Sequence, residues 1–96
     1  MNQSYVIVRH KVKDYSPWKN VFDSFIDIRR NGGEKSFQIF SPDTEPNNLY
    51  LLFVWDSLDN ARNFMQSKIL KETMMKAGVM EAPEIIFLEE IASGVV

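Results

Sequence analysis

The chain has 96 residues, with 11 basic and 13 acidic side chains, a formal net charge of -2 and a hydrophobic fraction of 45%. That length suits one domain over residues 1–96, and that hydrophobic content suffices for a packed core. Cysteine is absent and His10 is the only histidine, which excludes disulfides, zinc–thiolate sites, iron–sulfur clusters, thiol catalysis and a multi-histidine metal site within one chain. The near-neutral charge leaves no electrostatic footprint for nucleic acid or an anionic membrane surface. No apolar run approaches the roughly 20 residues needed to span a bilayer. The polar start Met1-Asn2-Gln3-Ser4 does not read as a signal peptide, so a cytoplasmic location is expected.

Tyr5 to Val12 is rich in β-branched residues and predicts a strand. Val6, Val8, His10 and Val12 share one face, and Tyr5, Ile7, Arg9 and Lys11 the other. Ser16 is placed to cap a helix, with Pro17 at its first position. Trp18, Val21, Phe22, Phe25, Ile26 and Arg29 then recur at helical spacing, opposite Lys19, Asn20, Asp23, Asp27 and Arg30. Asn31-Gly32-Gly33 ends this helix. A second strand is predicted over Lys35–Phe40, with Phe37 and Ile39 on one face and Ser36, Gln38 and Phe40 on the other. After the turn-rich connector Ser41–Asn48, Leu49–Trp55 forms an almost unbroken apolar run, the pattern of a strand buried on both faces. Asp56 or Ser57 caps the next helix, which points Leu58, Ala61, Phe64 and Met65 inward. Gln66-Ser67 interrupts it before a further turn or two carrying Ile69, Leu70, Thr73, Met74 and Ala77 to Gly78. Pro83 precedes a last strand over Ile85–Glu89.

The order β-α-β-β-α-β is that of an α+β, ferredoxin-like fold, an antiparallel sheet with both helices on one face. The other face should be polar unless something covers it. Yet Leu49, Leu51, Phe53 and Trp55 alternate with Tyr50, Leu52 and Val54, so neither face of the central strand is polar. Each large apolar side chain left in water forgoes roughly 1.5–3 kcal/mol, and a second copy of the sheet is the economical cover. A homodimer through the sheet face is therefore expected; the alternative is a monomer with a few exposed apolar residues.

The stretches Val8-Arg9-His10-Lys11-Val12-Lys13-Asp14 leading to Trp18, and Val54-Trp55-Asp56-Ser57-Leu58-Asp59-Asn60-Ala61 leading to Phe64, resemble the dimeric α/β-barrel superfamily. The likeness is to its antibiotic-biosynthesis-monooxygenase-like group and uncharacterised relatives. Ser67-Lys68-Ile69-Leu70-Lys71, Ala77-Gly78-Val79 and Phe87-Leu88-Glu89 extend the resemblance over nearly the whole chain. It implies a dimer with a pocket between sheet and helices near the dimer seam. Members oxidise polycyclic aromatic substrates without metal or flavin, cleave haem, isomerise or cyclise small molecules, or have no known activity. The positions of the haem-cleaving branch's functional Asn, Trp and His fall at about Val8, Phe64 and Met74, so the resemblance does not extend to that route.

His10 is the candidate catalytic base, since its face should point into the apolar layer beneath the helices, where burial keeps an imidazole neutral. The alternative is a structural histidine hydrogen-bonded to a backbone carbonyl or to the loop at Asp14. Trp18 could roof a pocket above His10, and Trp55 could also stack on a flat ligand; ordinary packing in the core or at the dimer seam is the favoured alternative for each. Phe22, Phe64 and Met74 complete an expected apolar lining, and Gln38 and Tyr50 either add polar contacts or face solvent. Arg9, on the opposite face from His10, needs an acidic mate if a partner chain buries it, and Glu89 is the candidate; the alternative is an anionic ligand. Glu89 and Glu90 point to opposite faces of a strand and make no working carboxylate pair. Gly32-Gly33 follows a helix and is no phosphate loop, and a Gly-x-Ser-x-Gly elbow is missing.

No metal or cofactor is therefore expected. Any oxygenase chemistry would draw its electrons from the substrate itself. The expected function is a homodimer that binds a small aromatic or apolar metabolite, with monooxygenase-like chemistry based on His10. The alternative is a non-catalytic dimeric binding module, or an interaction domain whose interior is filled by its own side chains.

Overall fold

A computed structural model describes residues 3–96; Met1 and Asn2, half of the polar start, lie outside the described residues. The strands are β1 (Ser4–Lys11), β2 (Glu34–Phe40), β3 (Asn48–Trp55) and β4 (Glu84–Glu89). The helices are α1 (Tyr15–Ser24), α2 (Ile26–Gly32), α3 (Leu58–Met65) and α4 (Lys68–Lys76). The strands form one four-stranded antiparallel sheet in the order β2-β3-β1-β4. This is the ferredoxin-like arrangement, in which each β-α-β passage steps over a neighbouring strand.

Register sorts the side chains. Val6 faces Phe53, Val8 faces Leu51 and His10 faces Leu49 across β1 and β3, so these residues lie on one sheet face together. Trp18, Phe22, Ala61, Phe64 and Ala77 from the helical side pack on that face to form the buried core. On the opposite face, Ile7, Leu52 and Val54 are half-buried, while Phe40, Tyr50, Ile86 and Leu88 are exposed. Within the described chain nothing covers these apolar side chains.

The first helix departs from the sequence expectation at both ends of its first segment. It begins at Tyr15, with extended Asp14 as N-cap and no side-chain capping bond, rather than with Ser16 as cap. Pro17 is thus two residues deeper than expected, still within the first turn, where amides lack helical partners. The single predicted helix is also two, broken at Phe25. The carbonyl of Phe22 accepts from the Phe25 amide at 3.2 Å and also from Arg29 Nη1. A side chain inserted into the ladder in this way kinks a helix.

The second helical region follows its caps. Ser57 Oγ accepts from the Asn60 amide at 3.1 Å, and Ser67 Oγ accepts from the Leu70 amide at 3.3 Å while donating to the Phe64 carbonyl at 2.7 Å. Ser67 therefore ends α3 and starts α4, which accounts for the predicted break.

Gly33 closes α2 with φ of 122°. Its carbonyl accepts from the Asp56 amide at 2.9 Å, and a Cβ there would stand 2.8 Å from Asp56 Cγ. Gly33→Ala is expected to destabilise the protein by roughly 1–3 kcal/mol through backbone strain and the clash with Asp56. Gly94→Ala, where a Cβ meets nothing within 4 Å, should leave stability unchanged. Urea unfolding of the two variants checks both outcomes.

Candidate functional site

Between the helices and the sheet lies a cavity of about 80 Å³ with an almost wholly apolar wall. β1 delivers His10 to it, α1 delivers Trp18 and Phe22, α3 delivers Phe64 and α4 delivers Met74. Five of the residues expected to form a site are therefore brought together. Gln38 and Tyr50 are not. Gln38 pairs with Leu52 and Tyr50 with Arg9, which puts both on the open sheet face, exposed and across the sheet from the cavity. Period-2 alternation from the inward Leu51 and Ile39 requires that placement. Trp55 is buried against Phe64, ring centroids 5.4 Å apart, and does not line the cavity.

The wall is a run of rings. His10 meets Trp18 edge to face at 5.6 Å, Trp18 lies 5.0 Å from Phe22, and Phe22 touches Phe37 at 4.9 Å. Such contacts fix ring orientation as well as burying area. β1 pairs with β4 only as far as Arg9 opposite Glu84, so His10 sits where the inner sheet edge opens toward Pro83. Arg9 ion-pairs with Glu84 at 3.5 Å, not with Glu89, which stands opposite Ser4 at the far end of β4.

His10 is 6% exposed, and neither Nδ1 nor Nε2 has a hydrogen-bond partner. The backbone-carbonyl and Asp14 partners considered for a structural histidine are not made. Burial lowers its pKa from 6.5 to about 4, because the charged ring would lose its hydration with no acceptor to replace it. At neutral pH it is a neutral imidazole able to accept a proton.

Arg29 and Glu34 also line the cavity, and neither stood out as a site residue in the sequence. Arg29 Nε donates to both Glu34 carboxylate oxygens at 3.0 Å, and its Cζ lies 3.7 Å from the centre of the Phe22 ring. Desolvation raises the Glu34 pKa, and the guanidinium opposes that rise. A signal for Arg29 existed in its place on the apolar stripe begun by Trp18. For Glu34 there was none, because a β-bulge lets Glu34 face Trp55 and Ser36 face Val54. The extra residue, Lys35, reverses the side on which Glu34 would otherwise fall. No group of three or more His, Asp or Glu side chains among the described residues could hold a metal ion.

The lone histidine makes the electrostatics measurable. A folded-state pKa depressed from 6.5 to about 4 means that the unfolded chain takes up a proton first. Its contribution to stability is complete above pH 6.5 and is lost as pH falls toward 4. The His10 ring resonances should titrate near pH 4 in the folded protein. The wild type should lose roughly 2–3 kcal/mol between pH 7 and pH 4.5 from this group, a loss absent in His10→Phe when both are unfolded by urea.

No family model and no curated protein matches this sequence. Solved structures do match. A candidate antibiotic biosynthesis monooxygenase of Bordetella bronchiseptica aligns with a TM-score of 0.77 at 14% identity, over 96% of this chain and 100% of that one. Another from Caulobacter crescentus CB15 gives 0.72 at 18% identity, over 95% and 92%. SnoaB, a cofactor-independent oxygenase from Streptomyces nogalater, gives 0.70 at 12% identity, over 100% and 98%. With more than nine-tenths of each chain aligned, the chain has the ferredoxin-like fold of the antibiotic-biosynthesis-monooxygenase-like proteins.

Proposed function

We propose that the cavity binds a small aromatic or apolar molecule, that the protein works as a homodimer through its open sheet face, and that His10 is a general base for metal-free, monooxygenase-like chemistry. The observation that carries this reading is His10 itself: buried, neutral and without a partner for either nitrogen on a largely apolar wall. An imidazole placed there for structure alone would be expected to hold at least one hydrogen bond. The likeness to SnoaB, a cofactor-independent oxygenase, accords with it.

The chemistry follows from charge. His10 takes a proton from a phenol hydroxyl or an activated carbon, and the electron pair stays on the substrate. A carbon of that anion then bonds to dioxygen, and the imidazolium returns its proton to the peroxide. Loss of water leaves a new carbonyl, the substrate's own electrons reducing both oxygen atoms. Magnitudes restrict the substrate. Moving a proton from an ordinary phenol of pKa about 10 to an imidazole of pKa about 4 is uphill by roughly 8 kcal/mol. Attraction between the resulting anion and imidazolium in a dry cavity offsets part of this, and a more acidic substrate reduces the rest.

The cavity's volume of about 80 Å³ also favours a second reading, a domain whose interior is filled by its own side chains. An engineered cavity that admits benzene measures about 150 Å³. Entry of a ring here would require the unbranched Met65 and Met74 to swing aside, which their flexible thioether chains allow at low cost.

Oxygen uptake with a panel of electron-rich phenols tests the enzyme reading. Wild type should turn over, and His10→Ala should fall by a factor of about 10²–10⁴ while still folding by urea titration. Tryptophan-fluorescence binding without uptake would support a non-catalytic module, and neither signal would support the self-filled interior. For assembly, sedimentation should give a dimer at micromolar concentration for wild type and a monomer for Leu52→Glu, which places a charge amid Ile7, Val54 and Ile86 of the open face. A monomeric wild type would overturn the dimer.

A further inference from the structure

We propose that α4 is a gate: a helix fixed at both ends that lifts off the cavity as one unit and enlarges it beyond its resting volume. The purpose of this movement rests on the cavity being a small-molecule site, but its test needs no ligand.

Burial sets α4 apart from the other described helices. α1 buries Trp18 and Phe22, α2 buries Arg29, and α3 buries Ala61 and Phe64. None of the nine residues of α4 is buried. Its side chains Leu70, Thr73 and Met74 face the cavity, so this helix rests over free volume where the others rest on packed side chains. Ile69 and Met75 stand exposed on it. Apolar burial is what holds a short helix to a fold, and an element without it has low local stability.

Two further features leave α4 weak from within. Thr73 Oγ1 donates to the Ile69 carbonyl at 2.7 Å, a back-bond that bends a helix and slightly destabilises it. The ion pair of Lys68 with Glu72 spans 3.9 Å between exposed side chains, a geometry that adds little.

The ends, by contrast, are held. Ser67 Oγ accepts from the Leu70 amide and donates to the Phe64 carbonyl, which ties the start of α4 to α3. Past the other end, the Lys13 amide donates to the Gly78 carbonyl and the Met80 amide to the Lys11 carbonyl, each at 2.9 Å. Val12 and Val79 form a bridge beside them. Gly78, with φ of 82°, is the residue at that end best able to absorb a change of dihedral angle. A segment fixed at both ends and unsupported between them can open and return to the same place. The resting cavity of about 80 Å³ falls short of the roughly 150 Å³ that admits benzene. Turning Met74 alone frees one side chain's space, whereas lifting α4 withdraws Leu70, Thr73 and Met74 together.

Amide hydrogen exchange, followed by NMR in low urea, tests the movement. The amides of α4 should share one opening and exchange about tenfold faster than those of α3, or more, with almost no dependence on urea. The chain has no cysteine, so Val8→Cys on the cavity wall gives a single probe for entry of N-ethylmaleimide, a ring-sized thiol reagent. Lys71→Gly, at an exposed position of α4, should raise both the exchange of α4 and this labelling about three- to fivefold. Asn63→Gly, at an exposed position of α3, should change neither. Exchange of α4 in step with α3, or labelling that ignores Lys71→Gly, would overturn the gate. Should Val8→Cys fail to fold, exchange of α4 in wild type and in Lys71→Gly decides the matter. An α4 that opens in a protein that binds none of the phenols would remove the small-molecule reading and leave the opening standing.

Discussion

The buried guanidinium of Arg29 is the contact that ties α1, α2 and the start of β2 together. It donates to the Phe22 carbonyl near the end of α1, holds the Glu34 carboxylate at the start of β2, and stands over the Phe22 ring with Cζ 3.7 Å from its centre. One side chain therefore joins the break at Phe25, the turn at Gly33 and the bulge at Lys35. Removing either member of a buried pair strands the other charge, which typically costs 3–5 kcal/mol. Such a pair need not add net stability over an apolar replacement. What it does here is fix where α2 and β2 meet, and so the shape of the cavity wall.

His10 is governed by the opposite circumstance. Arg29 is buried with a counter-charge, and His10 is buried with nothing. Desolvation alone then decides its protonation, and the imidazole stays neutral down to about pH 4. Neutral at pH 7 and set against Trp18, it keeps both ring nitrogens without a hydrogen-bond partner. With Glu34, these two groups are the titratable side chains of a largely apolar cavity wall.

The open sheet face adds a further constraint. β1 and β3 put Ile7, Leu52 and Val54 on the side away from the helices, and that side has no cover of its own within the described chain. A contiguous apolar face of this kind is a poor neighbour for water. Its alternation with the inward Val6, Val8, Leu51 and Phe53 was visible in the residue pattern, because the period of a strand is two and both parities were apolar.

Much of the architecture was legible in this way. The strands to within one residue at either end, the start of α3 at Asp56 or Ser57, the break at Gln66-Ser67 and the Gly33 stop all rest on local physics: side-chain alternation, a hydroxyl reaching a free amide, a positive φ that glycine tolerates. His10, Trp18, Phe22, Phe64 and Met74 converge because they sit on faces that periodicity assigns to the interior. Gln38 and Tyr50 were open choices that the register settled against the cavity. By itself, then, the sequence determined the order of elements, the ferredoxin-like class and which faces are apolar. Only the tertiary structure decided that α1 breaks at Phe25, that Glu34 turns inward and that Arg29 joins His10 on one wall. Those outcomes depend on a bulge and on a long-range carboxylate–guanidinium contact, and neither leaves a period in the chain to be read.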